Sequence, residues 1–110
     1  MQIYRLTDAC CVAGQIEAAD IEALKNDGFV AVVCNRPDGE DVGQPTAASI
    51  AAECANNGIA FHHLPVSNTG ITPEMIEQFQ KIVAESNGPV LAYCRSAQRS
   101  SVLWQYSGSP

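Results

Sequence analysis

Apolar residues in this chain fall into short runs that alternate with stretches of helical period. Ile3, Tyr4 and Leu6 mark a first short strand over residues 3–6, and Cys11-Val12 a second short piece. Residues 18–26 read as a helix with Ile21 and Leu24 on one face and Gly28 as its stop. Phe29-Val30-Ala31-Val32-Val33-Cys34 is apolar without alternation, the pattern of a strand covered on both faces. A polar loop, rich in Gly, Pro and Asp, follows over residues 35–44. Pro45-Thr46 then opens a helix with Ala47, Ile50, Ala51 and Cys54 at helical spacing. Gly58 ends it, and residues 59–66 predict another strand. Thr72-Pro73-Glu74 combines a cap, a proline at the first helical position and an acid in the first turn. Met75, Ile76, Phe79, Ile82 and Val83 form the stripe of that helix, and Asn87-Gly88-Pro89 stops it. Residues 90–93 are the last strand, and a final helix begins at Arg99 and runs through Val102, Leu103 and Trp104. Strand and helix in alternation predict an α/β fold with a parallel central sheet flanked by helices. Sites in such sheets form at the carboxyl ends of strands, which singles out the loops that start at Asn35 and Cys94.

The length, 110 residues, suits one domain, expected over residues 1–110. Twelve acidic residues face six basic ones, a net charge of -6, so no nucleic acid and no anionic membrane surface is an expected partner. The start of the chain lacks the basic and apolar regions of a signal peptide, and no apolar run approaches a bilayer-spanning length. Five cysteines without regular spacing, and no Cys-x-x-Cys, predict a reduced, cytoplasmic protein with no structural metal. No cofactor is expected. The positive charge is scarce but placed: Arg95 and Arg99 follow Cys94 directly.

The segment Cys94-Arg95-Ser96-Ala97-Gln98-Arg99-Ser100 ends an apolar strand and opens a helix. Backbone N–H groups in such a turn can form a nest for an oxyanion, and the helix N-terminus adds unpaired donors. Arg99 supplies a planar, two-pronged donor. The reactive form of a cysteine is its thiolate, which positive surroundings favour. Ser96 and Ala97 are small enough for the backbone to approach a ligand. The competing reading makes Cys94 a small core residue and Arg99 a solvated one.

The four residues between Cys94 and Arg99 resemble the active loop of rhodanese-like sulfurtransferases. The loop is also similar to the cradle of cysteine-dependent phosphatases, which normally has five. The rest of the chain does not resemble rhodanese. Val12-Ala13-Gly14-Gln15-Ile16, Val32-Val33-Cys34-Asn35-Arg36-Pro37-Asp38-Gly39-Glu40, Gly43-Gln44-Pro45-Thr46, Leu64-Pro65-Val66 and Ile71-Thr72-Pro73-Glu74 resemble one bacterial family. It is the phosphatase-like domain found alone or at the N-terminus of beta-lactamase hydrolase-like proteins. The resemblance implies a cysteine-phosphatase fold of the dual-specificity type, a small anionic substrate, and a fused or partner metallo-hydrolase domain.

Two chemistries compete. A phosphatase usually needs an acid to protonate the leaving oxygen, worth ~100 to 10,000-fold. In dual-specificity phosphatases that acid commonly follows a Pro-Val pair; here Asn68 stands near that place, and no carboxylate lies between Val66 and Thr72. Asp38, Glu40 or Asp41 could substitute, although solvated turn residues are the simpler reading. Sulfur transfer through a Cys94 persulfide expels good leaving groups and needs no strong acid. Sulfane-sulfur transfer therefore ranks first, phosphoester hydrolysis second, and a non-catalytic anion or persulfide sensor third. Ala97 stands where both families commonly have Gly, so it either avoids positive φ or bears strain.

The supporting residues have specific expectations. Arg36 is either a second cation at the rim or a clamp on its own loop through Asp38 or Glu40. Asn35 is expected to hydrogen-bond the backbone of the Cys94 loop. Ser100 is expected to donate to the Cys94 thiolate or to cap the helix. Arg95 is read as pointing outward, recruiting an anion, and Cys34 as able to resolve an oxidised Cys94. His62 and His63 would face opposite sides of a strand. Trp104, Phe79 and Phe29 are assigned to the core.

Overall fold

A computed structural model describes residues 1–67 and 70–108. The strands are β1 (Ile3–Arg5), β2 (Cys10–Ala13), β3 (Ala31–Cys34), β4 (Ala60–His63) and β5 (Val90–Tyr93). The helices are α1 (Ile21–Asn26), α2 (Ala47–Asn56), α3 (Pro73–Glu85) and α4 (Gln98–Tyr106). The sheet order is β1-β2-β5-β3-β4, antiparallel between β1 and β2 and parallel elsewhere. The α/β class and the mostly parallel, helix-flanked sheet are as expected.

Side chains alternate across this sheet, and each face has its own core. Cys11, Ala13, Val32, Cys34, Leu91 and Tyr93 pack with Ile21, Leu24, Ile50 and Cys54 of α1 and α2. Cys10, Val12, Ala31, Val33, Val90 and Ala92 pack with Phe79 of α3 and Leu103 of α4. Phe29 and Phe79 are buried as expected, whereas Trp104 is only partly covered.

Local chemistry accounts for where the elements differ from expectation. β1 stops at Arg5 because the Leu6 and Thr7 N–H groups both turn onto the Cys10 carbonyl, at 3.0 and 3.1 Å. The helix predicted from residue 18 opens instead as a 3₁₀ turn, Ala18–Asp20, whose Asp20 carboxylate accepts from the Glu17 N–H at 2.8 Å. β4 covers half its predicted span. Ile59 N–H is taken by the Cys54 carbonyl at 2.9 Å, and Pro65 has no N–H to offer a ladder. β2, read only as a short piece, is a central strand buried along its whole length. The α3 start is as predicted: Thr72 Oγ1 accepts from Met75 N–H at 3.2 Å, with Pro73 at the first position. Among the described residues no helix is long and apolar enough to cross a membrane.

Candidate active site

β3 and β5 are neighbours in the sheet, with Cys34 in register with Tyr93. Both chains therefore leave the sheet at the same edge, and the loops after Cys34 and Tyr93 meet there. The Cys94 loop is held by backbone contacts. Cys94 is fully buried, and its N–H donates to the Ala13 carbonyl at 3.2 Å. Ser96 bridges to Gly14, just past the end of β2. A Cβ on Gly14 would stand 3.1 Å from the Arg95 carbonyl oxygen, so any larger residue there would push the loop backbone back by a few tenths of an ångström.

Ala97 precedes α4 and has φ +73°, the only non-glycine positive φ among the described residues. Of the two alternatives the sequence left open for Ala97, the structure shows the positive φ. An L-residue there costs ~1–2 kcal/mol. Its carbonyl accepts from the Ser101 N–H at 3.0 Å and the Ser101 hydroxyl at 2.8 Å. No side chain caps the N-terminus of α4, and Gln98, its first residue, is exposed.

Asn35 ties the site together in a way the sequence did not indicate. Its N–H donates to the Tyr93 carbonyl at 2.8 Å, and its carbonyl accepts from Val66 N–H at 2.9 Å. Its side-chain Nδ2 donates to the Leu64 carbonyl at 3.0 Å, and its Oδ1 accepts from Ser100 Oγ at 2.8 Å. Asn35 thus joins the ends of β3 and β5, the segment after β4, and α4. The Ser100 hydroxyl is spent on Asn35 rather than on Cys94 or a helix cap. The Asn35 side chain reaches α4 through Ser100, not through the loop backbone.

The charged groups form one network. Arg99 Nη1 donates to Glu40 Oε2 at 2.8 Å and to the Val66 carbonyl at 2.9 Å, and its Nη2 donates to Glu40 Oε1 at 2.7 Å. Arg36 is buried; its Nε reaches the same Glu40 Oε1 at 2.9 Å, its Nη1 reaches Gln15 Oε1 at 2.9 Å, and its Nη2 reaches Asp41 Oδ2 at 2.5 Å. Arg95, largely exposed, pairs with Asp41 at 3.2 Å. The Arg99 hydrogen bonds hold the Glu40 carboxyl at about 2, with burial opposing and Arg36 adding to the effect. The Arg99 guanidinium is pushed up in turn, chiefly by Glu40.

Several expectations are corrected by this geometry. Arg36 clamps its own loop, and does so through Glu40 and Asp41 rather than Asp38. Asp38 Oδ1 instead accepts from the Ala47 N–H at 2.8 Å, helping Thr46 to cap α2. Arg95 does point outward, but onto Asp41. Cys34 lies with Tyr93 on the α1–α2 face, and its thiol donates to the Arg36 carbonyl at 3.4 Å, so it does not face the loop as a resolving thiol. Burial pushes Cys10 up to about 12 and Cys54 to about 11, and raises Cys11 and Cys34 as well. His63 Nε2 meets the Arg36 carbonyl at 3.0 Å, and His62 is half-buried. Asn68 lies outside the described residues. No group of three or more His, Cys, Asp or Glu able to hold a metal occurs among the described residues. A surface groove of about 920 Å³ lies between β4 and α3 and includes none of the Cys94 loop.

A cysteine buried at the end of a central parallel strand, a tight turn, and an arginine in the first turn of the next helix define a phosphatase-like α/β domain. Residues 2–109 match the family model for the phosphatase-like domain of the beta-lactamase hydrolase-like protein. The chain belongs to that family. It is 35% identical over 104 residues to the beta-lactamase hydrolase-like protein of Agrobacterium fabrum, a match that takes in 94% of this chain and 24% of that protein. The chain thus spans about a quarter of the length of that curated relative. A crystal structure from Neisseria meningitidis, of a protein provisionally assigned as a phosphatase, superposes with TM-score 0.87 at 35% identity. It covers 100% of this chain and 81% of that one. The P. aeruginosa protein TpbA, solved with phosphotyrosine, shares the fold with TM-score 0.66 at 16% identity, over 92% of this chain and 58% of that one.

Proposed function

We propose that this phosphatase-like domain transfers sulfane sulfur through a Cys94 persulfide. The observation that carries the reading is the kind of carboxylate at the site. Glu40, the carboxylate bonded to Arg99, is held ionised to about pH 2 and has no proton to give near neutrality. Sulfur transfer does not need one. The Cys94 thiolate attacks the outer sulfur of thiosulfate, the S–S bond breaks, and sulfite departs as a dianion with its electron pair. Cyanide or an acceptor thiolate then takes the terminal sulfur and regenerates the Cys94 thiolate. Rates in such exchange follow the leaving group and access. Arg99 and the unpaired N–H groups at the start of α4 would hold the donor's oxyanion. Arg95, Ser96, Ala97, Gln98 and Ser100 build the loop, and Asn35 and Arg36 support it.

The comparisons favour a second reading, phosphoester hydrolysis through a Cys94 phosphocysteine. The Neisseria relative is assigned as a phosphatase, and TpbA binds phosphotyrosine. None of these relatives is named for sulfur transfer. The four-residue spacing and the ionised Glu40 weigh on the other side.

One preparation decides between them. Thiosulfate or glutathione persulfide with cyanide should yield thiocyanate, and Cys94→Ser should abolish it. Hydrolysis of an aryl phosphate, lost in Cys94→Ser and blocked by vanadate, with no thiocyanate formed, would establish the second reading. A Cys94 mass increase of one sulfur without turnover would mark a sensor. Five free cysteines fit a reduced cytoplasm. A fused or partner metallo-hydrolase that takes up the product belongs to the same proposal.

A further inference from the structure

β1 runs antiparallel to β2, with Ile3 opposite Ala13 and Tyr4 opposite Val12. The start of β1 therefore lies at the same edge of the sheet as the end of β2, where the Cys94 loop turns. Side chains opposite each other in a ladder share a face, so Tyr4 stands on the face of Val12. Ala97 of the Cys94 loop belongs to the core on that same face. At this edge a cavity of about 210 Å³ opens between Met1, Gln2, Tyr4, Gly14, Gln15 and Ser96. Ser96 stands two positions after Cys94 and bridges to Gly14, so the cavity shares a wall with the loop.

The lining says what the cavity can hold. Among the described residues four large apolar side chains are exposed, Met1, Tyr4, Val42 and Tyr106, and two of these line this one cavity. None of the six lining residues has a charged side chain. Gln15 has both ends of its amide engaged: Nε2 donates to the Ile16 carbonyl at 2.8 Å, and Oε1 accepts from Arg36 at 2.9 Å. Gly14 adds no side chain to fill the space. A whole small-molecule site takes ~300–1,000 Å³, so this cavity is room for one part of a ligand. An inorganic anion in the loop would leave it empty.

We propose that this cavity seats a flat, uncharged organic group joined to the anion in the Cys94 loop, with Tyr4 as the shelf that selects it. The preferred substrate is then an organic anion rather than inorganic thiosulfate or phosphate. This rests on the reading that the loop takes an anion, whichever chemistry follows. A planar group gains contact with the Tyr4 ring that a methyl group does not. Tyr4 positions that group and takes no part in making or breaking bonds.

The test compares two anions of equal charge, benzenesulfonate and methanesulfonate, so Coulomb effects cancel in the ratio of their dissociation constants. Wild type should bind benzenesulfonate about tenfold more tightly, and the Gly14 and Ser96 amide resonances should move more with it than with methanesulfonate. Tyr4→Ala should bring the ratio to about twofold or less while methanesulfonate binding stays unchanged, and Tyr4→Phe should keep it. Tyr4→Thr, which preserves a strand-favouring residue in β1, carries the test if Tyr4→Ala does not fold. No preference in wild type overturns the proposal. So does a preference that survives in a folded Tyr4→Ala or Tyr4→Thr protein. An equal loss of both anions in those variants also overturns it, because Tyr4 would then be structural. Binding of neither sulfonate removes the anion-binding reading together with the proposal. A preference lost in Tyr4→Ala, with wild type forming neither thiocyanate nor free phosphate, supports the subsite and removes both chemistries.

Discussion

Two loops meet at the carboxyl edge of this sheet, and they are built on opposite plans. The loop after β5 places four residues between Cys94 and Arg99, of which Ser96 and the positive-φ Ala97 are small, and it is held by backbone bonds to β2 and α4. The loop after β3 runs over residues 35–44, has two glycines with positive φ, and beyond Asn35 is held chiefly by side chains. Arg36 grips its two acids, and Gln44 closes it by donating to the Pro37 carbonyl at 2.9 Å and accepting from the Glu40 N–H at 3.0 Å. A short loop on backbone bonds has few alternative shapes, so it can hold a nucleophile and donors in place. A longer loop tied by ion pairs can exchange those pairs for others. The fixed half of the site holds Cys94 and Arg99, and the ion-paired half holds Arg36, Glu40 and Asp41.

The largest test of that division is Cys94→Ser. It should lower turnover on the productive substrate on the order of 1,000-fold or more, read as thiocyanate or released phosphate, with the thermal midpoint little changed. Retained turnover would move the nucleophile out of the fixed loop. Next is Asn35→Ala, which leaves the Leu64 carbonyl and the Ser100 hydroxyl without their partners in a buried place. It should cost about 3 kcal/mol in urea unfolding, whereas an effect below about 1 kcal/mol would show that the two loops are not joined through it.

A smaller effect separates the loops by pH. Glu40 is depressed in the folded protein from 4.5 to about 2, so its contribution to stability is complete above about pH 4.5 and is lost as pH falls through 2. Wild type should therefore lose about 1 kcal/mol more than Glu40→Gln between pH 5 and pH 2, with the partial exposure of the pair screening the rest. Parallel pH profiles for the two proteins would remove Glu40 from the charge network. The smallest change is Ala97→Gly. Relief of the positive φ should offset the added chain entropy and raise stability by about 1 kcal/mol. A loss of stability would mean that the alanine methyl, part of the core on the α3–α4 face, outweighs the strain.

Much of the fold was legible along the chain. The Thr72-Pro73 start of α3 and the apolar run of β5 are local signals, and both elements form where those signals place them. β2 was under-read because a four-residue strand buried on both faces has no alternation and little length to detect. β4 was over-read because Ile59, Leu64 and Val66 extend its apolar run, while a helix carbonyl and the missing N–H of Pro65 set its ends. The same division holds at the candidate site. Cys94 and Arg99 lie five positions apart and announce themselves. The Arg99–Glu40 pair spans 59 positions, and the Ser100–Asn35 bond spans 65. Glu40 was visible only as one of several acids in a polar turn.

The sequence alone determined that a thiol and an arginine share one tight turn before a helix, because all of these are local. It also determined the α/β class, because burial pattern and capping act within a few residues. Only the tertiary structure decided that most of the site's positive charge is paired. Placing β3 beside β5 brings Glu40 and Asp41 against three arginines. Coulomb attraction in a partly dehydrated cleft then turns an apparent cationic site into a paired one.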